Sequence, residues 1–390
     1  MTPADRSVRC LIVALALQLL LPRMTRGEGA LSYKFQSWQE DAGRVRVDSH
    51  YGLAEQSLPA DAKLKLTGVI DSIAGATPTG QLPTTPGGPV PLTQLEDRRK
   101  AWEADLSKPF GPVNVTIGYA NSRESDYVSN GWSLNTLTDF NKKNTTLLLG
   151  LAGTSDDVKV FFQQPWEHKR TFDAIVGVTQ LLDPNTSVSF NLSYGRATGY
   201  LSDPYKLIEK HVNVADPAGP PLLLLRTFGE NRPRQREKWI GYASINHAFP
   251  ALSAALEGSY RLYHDDFGIT SHTVTLEWFQ KFAGDRLVVT PTLRAYEQSA
   301  ADFYLLTLDG TTITPTTPGN PGGPYYSSDY RLSKMRTFMY GLKAVYNLVP
   351  GRLMVDASYE RYTMKGRDGI TASSAYVDAN VFTLGGKWMW

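Results

Sequence analysis

Short runs of alternating apolar and polar residues recur along the whole of this 390-residue chain, and the links between them alternate as well. Successive side chains of an extended strand point to opposite faces, so each run has one apolar face and one polar face. Val113 to Ser122 gathers Val113, Val115, Ile117 and Tyr119 on one side; Arg170 to Leu182 gathers Phe172, Ala174, Val176 and Val178. Leu252 to His264 does the same with Leu252, Ala254, Leu256, Tyr260 and Leu262. About 16 such segments fit end to end, and most have the ~10 residues that a tilted membrane strand needs. They include Arg44 to Leu53, with Val45, Val47, Tyr51 and Leu53 as its apolar face, Arg286 to Tyr304, and Ser328 to Tyr346. No convincing helical pattern competes.

The links divide by parity. Counted back from the C-terminal end, 347–351, 283–285, 250–251, 183–185, 140–144, 108–112 and 58–61 are tight and rich in turn residues. The alternate set contains 74–96, 200–235 and 305–327, which are long and rich in proline and glycine. A soluble sandwich gives no reason for that parity, whereas a bacterial outer-membrane barrel has short periplasmic turns and long extracellular loops. The expected fold is therefore all-β, a closed antiparallel transmembrane β-barrel of about 16 strands, within roughly 14 to 18. Ala375 to Trp390 fits as its closing strand: Phe382, Leu384, Gly386, Trp388 and Trp390 share one face. Phe382, Leu384, Trp388 and Trp390 resemble the targeting signal read by the barrel-assembly machinery.

The N-terminal residues read as a secretory leader over 1–27, with cleavage near 27–30 and the barrel over 31–390. Arg6 and Arg9 precede an apolar run of 11 residues, Leu11 to Leu21, too short to cross a membrane. The one cysteine, Cys10, precedes that run and leaves with it, so no disulfide, thiolate metal site or cysteine nucleophile is expected afterwards. Lys plus Arg is 40 and Asp plus Glu is 38, a balance that points away from nucleic acid. A mean hydropathy of −0.28 is too polar for a helical membrane protein and ordinary for half-apolar strands. Strands begin close behind the leader, which leaves no room for a plug domain.

Charges concentrate opposite the apolar faces, and the same parity sends them into the lumen. Lys34, Arg44, Arg46, Asp48, Arg261, Glu277, Lys281, Arg294, Tyr296, Lys343, Asp356 and Glu360 are expected to line it. A charge on the lipid face near mid-bilayer costs roughly 2–4 kcal/mol, which accounts for the sorting. The run Leu222 to Leu225 lies in a long loop and reads as a lipid-touching rim or a short strand extension.

Three polar clusters stand out. Tyr260 to Thr273 (YRLYHDDFGITSHT) holds His264, Asp265, Asp266 and His272, residue types that could ligate a metal or act as an acid/base pair at the outer rim. The alternative is a tight turn whose aspartates cap backbone amides, with Gly268 at positive φ. Gly199 to Lys206 (GYLSDPYK) opens the longest outer loop, and its Asp-Pro favours a rigid turn. Leu293 to Tyr304 ends in Phe303 and Tyr304, expected in the outer aromatic girdle. With Asp71 to Pro78, these clusters resemble the bacterial family known as domain of unknown function 3570 (DUF3570), from about Leu31 to Trp390. The resemblance implies an exported barrel of Gram-negative type and brings no assigned activity or site residue.

No phosphate-binding loop, dinucleotide fingerprint, nucleophile elbow or H-E-x-x-H is present in the sequence. The leading expectation is a non-enzymatic porin-like channel for small solutes, or a partner-gated pore, with no cofactor. Its partners would be outer-membrane lipid, the barrel-assembly machinery and a periplasmic protein, and no nucleic acid. The alternatives are a barrel sheath around a periplasmic partner such as an electron carrier, and an outer-rim hydrolase built on His264, Asp265, Asp266 and His272. The oligomeric state and the loop that folds inward are not set by the sequence.

Overall fold

Strands whose two faces differ in polarity must bury or expose each face as a sheet, and a sheet in lipid must leave no unpaired edge. The computed structural model resolves this by closure. It describes residues 28–160, 166–217 and 219–390. The leader expected over 1–27, with Cys10, lies outside the described residues.

In chain order the strands are β1 (Gly29–Glu40), β2 (Arg46–Ser57), β3 (Lys63–Pro78), β4 (Leu92–Phe110), β5 (Val113–Arg123) and β6 (Tyr127–Phe140). They continue as β7 (Thr145–Val158), β8 (Glu167–Asp183), β9 (Thr186–Gly199), β10 (Leu207–Val214), β11 (Leu222–Gly229) and β12 (Gln235–Phe249). The last six are β13 (Ala254–Asp265), β14 (Thr270–Phe282), β15 (Leu287–Gln298), β16 (Met335–Val349), β17 (Leu353–Gly366) and β18 (Ala379–Met389). All but β10 and β11 form one closed barrel of 16 antiparallel strands. β9 pairs directly with β12, so β10 and β11 form a separate hairpin hung on the link between them. β18 closes the ring against β1, with Leu31 opposite Trp388 and Phe35 opposite Leu384. The amides of Gly29 and Trp390 each donate to the other's carbonyl at 3.1 Å.

One end of the ring carries the tight links 58–62, 111–112, 141–144, 184–185, 250–253, 283–286 and 350–352. Left-handed backbone at Asp61, Gly111, Lys142, Ser253, Gly284 and Gly351 makes these reversals possible in so few residues. The other end carries the remaining links, among them 79–91, 200–234, 299–334 and 367–378. We call these the turn end and the loop end.

Outward positions hold large apolar side chains with nothing packed over them, including Trp102, Ile117, Trp132, Phe172, Phe190, Trp239, Leu276, Leu342 and Trp388. An apolar belt of this kind around a closed cylinder is the surface a bilayer covers. The clusters of buried apolar residues lie elsewhere, at the loop end. Phe267, Ile269, Ala301, Phe303 and Leu332 form one cluster; Ile208, Leu308 and Tyr326 form another; Val90, Tyr330, Met335, Ala375 and Tyr376 form a third.

Two expectations are corrected. In β2 the pairing of Tyr33 with Gly52 and of Gly52 with Gly68 sets the even positions outward. Arg46 and Asp48 therefore face out, where Arg46 Nη2 meets Asp48 Oδ2 at 2.9 Å, and Val47, Tyr51 and Leu53 face in. A weakly amphipathic strand takes its register from its neighbours, and a one-residue difference exchanges its faces. Arg44 lies in the link and donates to the carbonyl of Ala375 at 3.2 Å. Second, the strands expected over Arg286 to Tyr304 and Ser328 to Tyr346 are shorter at the loop end, because 299–334 leaves the wall and folds across the mouth. Phe303 is thus buried against Phe267 (ring centroids 5.0 Å apart) instead of joining the outer girdle, and Tyr304 packs beside it. Leu222 to Leu225, expected as a rim or a short strand, belong to the short strand β11 of the separate hairpin, with all four side chains exposed.

Candidate functional site

The inner face of the ring and the loops that close it form the candidate site. Arg261, Glu277, Lys281, Arg294, Tyr296, Lys343, Asp356 and Glu360 alternate with the outward Leu262, Leu276, Leu293, Leu342 and Tyr359, and so sit on the inner face. Several inner charges pair along the wall: Lys65 with Asp105 on the neighbouring strand at 3.4 Å, and, across one intervening strand, Lys34 with Asp356 at 3.9 Å and Lys387 with Glu55 at 3.2 Å. Thr292 Oγ1 donates to Glu277 Oε1 at 3.1 Å. At the turn end a cavity of about 970 Å³ opens among Glu55, Lys63, Lys65, Asp105, Ser107 and Arg352.

The loop end is crossed by its own loops. The amide of Leu207, which opens β10 in the link that follows β9, donates to the carbonyl of Thr79, just past β3, at 2.8 Å; β9 and β3 lie six apart around the ring. From a third direction, the link after β15 brings Ser328 Oγ to the Leu207 carbonyl at 2.6 Å. Gly80 permits the crossing: at its position a Cβ would lie 2.8 Å from the Leu207 carbonyl, and its φ is +100°. Ser374, in the link before β18, accepts from Val90 N at 3.2 Å and donates to the Gly88 carbonyl at 3.0 Å. Four links thus share one packed cap.

GYLSDPYK supplies the centre of that cap. Asp203 Oδ1 accepts from Tyr205 N at 2.9 Å and fixes the turn, and Tyr205 Oη donates to Asp126 Oδ2, in the link between β5 and β6, at 2.6 Å. Lys206 is fully buried; its Nζ donates to the Pro78 carbonyl and lies 5.8 Å from the Tyr330 ring centroid. Arg331 grips Asp329 with Nε at 2.9 Å from both carboxylate oxygens and also bonds Asp203. Arg232 Nη2 reaches Asp329 Oδ2 at 2.8 Å and Glu230 Oε2 at 3.0 Å. Ser327 Oγ donates to Glu230 Oε2 at 2.5 Å.

Burial opposes every charge in this network, and partners decide the outcome. Burial would raise the Asp329 carboxyl, but Arg331 and Arg232 hold it far below the usual range. Burial pushes Glu230 up in spite of Arg232, because Asp329 and Asp203 repel its charge. Burial likewise lowers Lys206 against the pull of Asp329.

The four residues proposed for metal binding or hydrolysis do not converge. Asp265, 2% exposed, faces inward, where Arg236 bonds it and Tyr263 Oη donates to it at 2.5 Å; it also accepts from Phe267 N and Ile269 N. His264 and His272 alternate with it, on the outward face with Leu262 and Val274. His264 Nδ1 contacts Thr270 Oγ1 at 2.9 Å and His272 Nδ1 contacts Tyr260 Oη at 2.6 Å. Asp266 accepts from Glu237 N at 3.0 Å, and Gly268 has a φ of +84°. Neighbours in sequence on a strand point to opposite sides of its wall, so proximity along the chain misleads here.

Sequence reading missed the cap itself. It also missed Asp97, Glu124 and Asp126, whose ligand atoms lie within 4.8 Å of one another, the one such group among the described residues. Asp97 already accepts from Ser125 and Asp126 from Tyr205. No contiguous motif signals either feature: the cap joins four separate links, and the carboxylates join β4 to the link between β5 and β6.

The family model described as "Protein of unknown function (DUF3570)" matches residues 15–168 and 161–378. No curated protein matches the chain in sequence. Among solved structures, CdiB from Acinetobacter baumannii superposes with a TM-score of 0.51 at 9% identity, over 93% of this chain and 60% of that one. This chain thus spans 60% of that protein's length. OccK5 (OpdH) from Pseudomonas aeruginosa gives 0.45 at 8% identity, over 94% and 99%. OmpT lacking loop L8, an outer membrane protein of Vibrio cholerae, gives 0.41 at 8%, over 93% and 98%. At such identities the likeness is one of fold.

Proposed function

The chain belongs to the DUF3570 family, and from that premise we propose that it is a pore of the Gram-negative outer membrane whose outer mouth its own loops hold shut. The turn end faces the periplasm and the loop end faces out, as in barrels of this kind. The observation that carries this reading is the bond from Leu207 to Thr79, which ties loops six strands apart across the opening. Loops serving only as connectors would run around the rim; these bury Lys206, Glu230 and Asp329 among one another.

Such a pore passes small solutes when the cap moves, and a partner is the natural agent of that movement. A periplasmic partner would meet the wide cavity at the turn end, whereas one acting from outside would meet the cap.

The test is conductance of the refolded protein in planar bilayers. Wild type should insert and stay mostly silent with brief openings, and a variant whose cap is unlatched should conduct in steady steps. An inserted, heat-modifiable unlatched variant that never conducts would remove the pore reading.

A further inference from the structure

The lumen wall is chemically divided, and the division points to what moves through it. From β13 through β18 and on to β4, the inner face carries the charged residues described above. On β5 to β9, between the Lys238–Asp173 pair (2.9 Å) and the turn-end rim, the only charge short of the strands' final residues is Asp139, near the end of β6, which Thr146 Oγ1 bonds at 2.7 Å. Thr116, Asn135, Thr179, Ser189, Asn191 and Ser193 stand there, interspersed with Leu148, Ile175 and glycines. Inward glycines keep this arc low: a Cβ on Gly177 would overlap Asn191 Oδ1, and one on Gly150 would overlap Asn135 Oδ1. Both amides therefore lie flat on the wall. Thr179 and Ser189 share a hydrogen bond of 2.8 Å, as do Thr154 and Thr171.

The cap leaves a recess of about 500 Å³ above this arc, lined by Tyr127, Thr171 and Ala197 of the wall and Leu201 and Tyr205 of the cap, with the charged Glu124, Asp126, Lys169, Arg232, Arg236 and Lys238 around its rim. The clearance beside the cap and the nearly uncharged wall are thus on the same side of the barrel. Hydroxyl and amide groups both donate and accept, so they exchange hydrogen bonds with a hydroxylated solute as water does. A charged solute gains no such partner here and gives up hydration to use the arc.

Resting on the pore reading above, we propose that solutes run along the β5–β9 arc and that the pore takes small, uncharged, hydroxyl-bearing molecules. The opposite, charged arc ties its groups to one another and supports the cap.

The experiment is osmotic swelling of liposomes holding the full-length protein with its cap unlatched by Arg331→Ala, with neutral monosaccharides and size-matched sugar acids as probes. Neutral sugars should enter faster. Adding Asn191→Trp, which stands a large ring on the arc, should cut their entry by roughly an order of magnitude, as narrowing at a pore lining does. Adding Leu192→Trp, the next residue but on the lipid face, should leave entry unchanged. Because Asn191→Trp could impair folding, each variant is first checked for the heat-dependent gel shift of a closed barrel, and Ser193→Trp serves as a second obstruction on the same strand. Entry that ignores both obstructions in folded protein, or that favours the sugar acids, overturns this inference and leaves the pore standing. No entry of any probe into liposomes with the unlatched protein overturns the pore reading, and the inference with it.

Discussion

Arg331→Ala is the sharpest perturbation of the cap. Asp329 is 1% exposed, and its carboxylate is held by two bonds from Arg331 Nε, one from Arg331 Nη2 at 2.6 Å and one from Arg232. Removing one partner of a fully buried ion pair costs about 3–5 kcal/mol, because the other charge is left uncompensated. Two facts reduce that here: the Arg331 side chain is 48% exposed, and Arg232 remains. A loss of about 2 kcal/mol is the reasonable scale, roughly thirtyfold in the ratio of closed to open cap. Single-channel recording measures that ratio as open probability under fixed salt and voltage. The variant should stay open tens of times more of the time, with the same unit conductance, since the wall is untouched. Equal open probability in wild type and variant would refute the assignment of Arg331 and Asp329 as the latch. A changed unit conductance would show that Arg331 borders the conducting path itself.

The cap should also respond to acidity, in two opposite steps. Glu230 titrates above its unfolded value of 4.5, so the folded cap holds a proton that the unfolded chain has released, and closure strengthens as pH falls through that range. Asp329 titrates below its unfolded value of 3.8, so its contribution is intact above that value and is lost as pH falls further. Open probability should pass through a minimum on the acid side of neutrality; a profile that only rises on acidification would contradict the Glu230 assignment, and one that only falls would contradict the Asp329 assignment. Val274→Arg, on the lipid face, should cost roughly 2–4 kcal/mol in denaturant unfolding from liposomes, whereas Thr275→Arg, on the inner face, should cost far less; equal costs would mean the faces are misassigned. Gly75→Ala should destabilise the loop end by about 1–3 kcal/mol, because at its φ of +131° a Cβ would meet the Val45 Cα at 2.9 Å; unchanged thermal unfolding would contradict the close approach. His272→Phe keeps the stacked ring beside Tyr260 and should shift stability by less than about 0.5 kcal/mol, with no change in zinc-dependent melting.

The wall was legible because each strand carries its own evidence. Alternation assigns faces locally, and the turn chemistry at positions such as Lys142 and Ser253 marks reversals within a few residues. Val113 to Ser122 reads within one residue of the observed strand for that reason. β2 shows where the method gives out. Both its faces are mixed, so only Gly52 opposite Tyr33 decides the side, and that is a partner's information. The cap was illegible for a stronger reason. Leu207, Thr79 and Ser328 meet through contacts separated by more than a hundred residues, and no periodicity encodes such a meeting. Asp265 and His264 illustrate the converse error, adjacency in the chain mistaken for adjacency in space.

β9 zips to β12 without help from the residues between them. The ribbon from Val212 to Leu224 is therefore an attachment rather than a stave: it can be trimmed, lengthened or exchanged for foreign sequence while the cylinder keeps its circumference. Variation can accumulate there at little structural cost, and a tag or reporter spliced into that ribbon would report on the living protein without disturbing it.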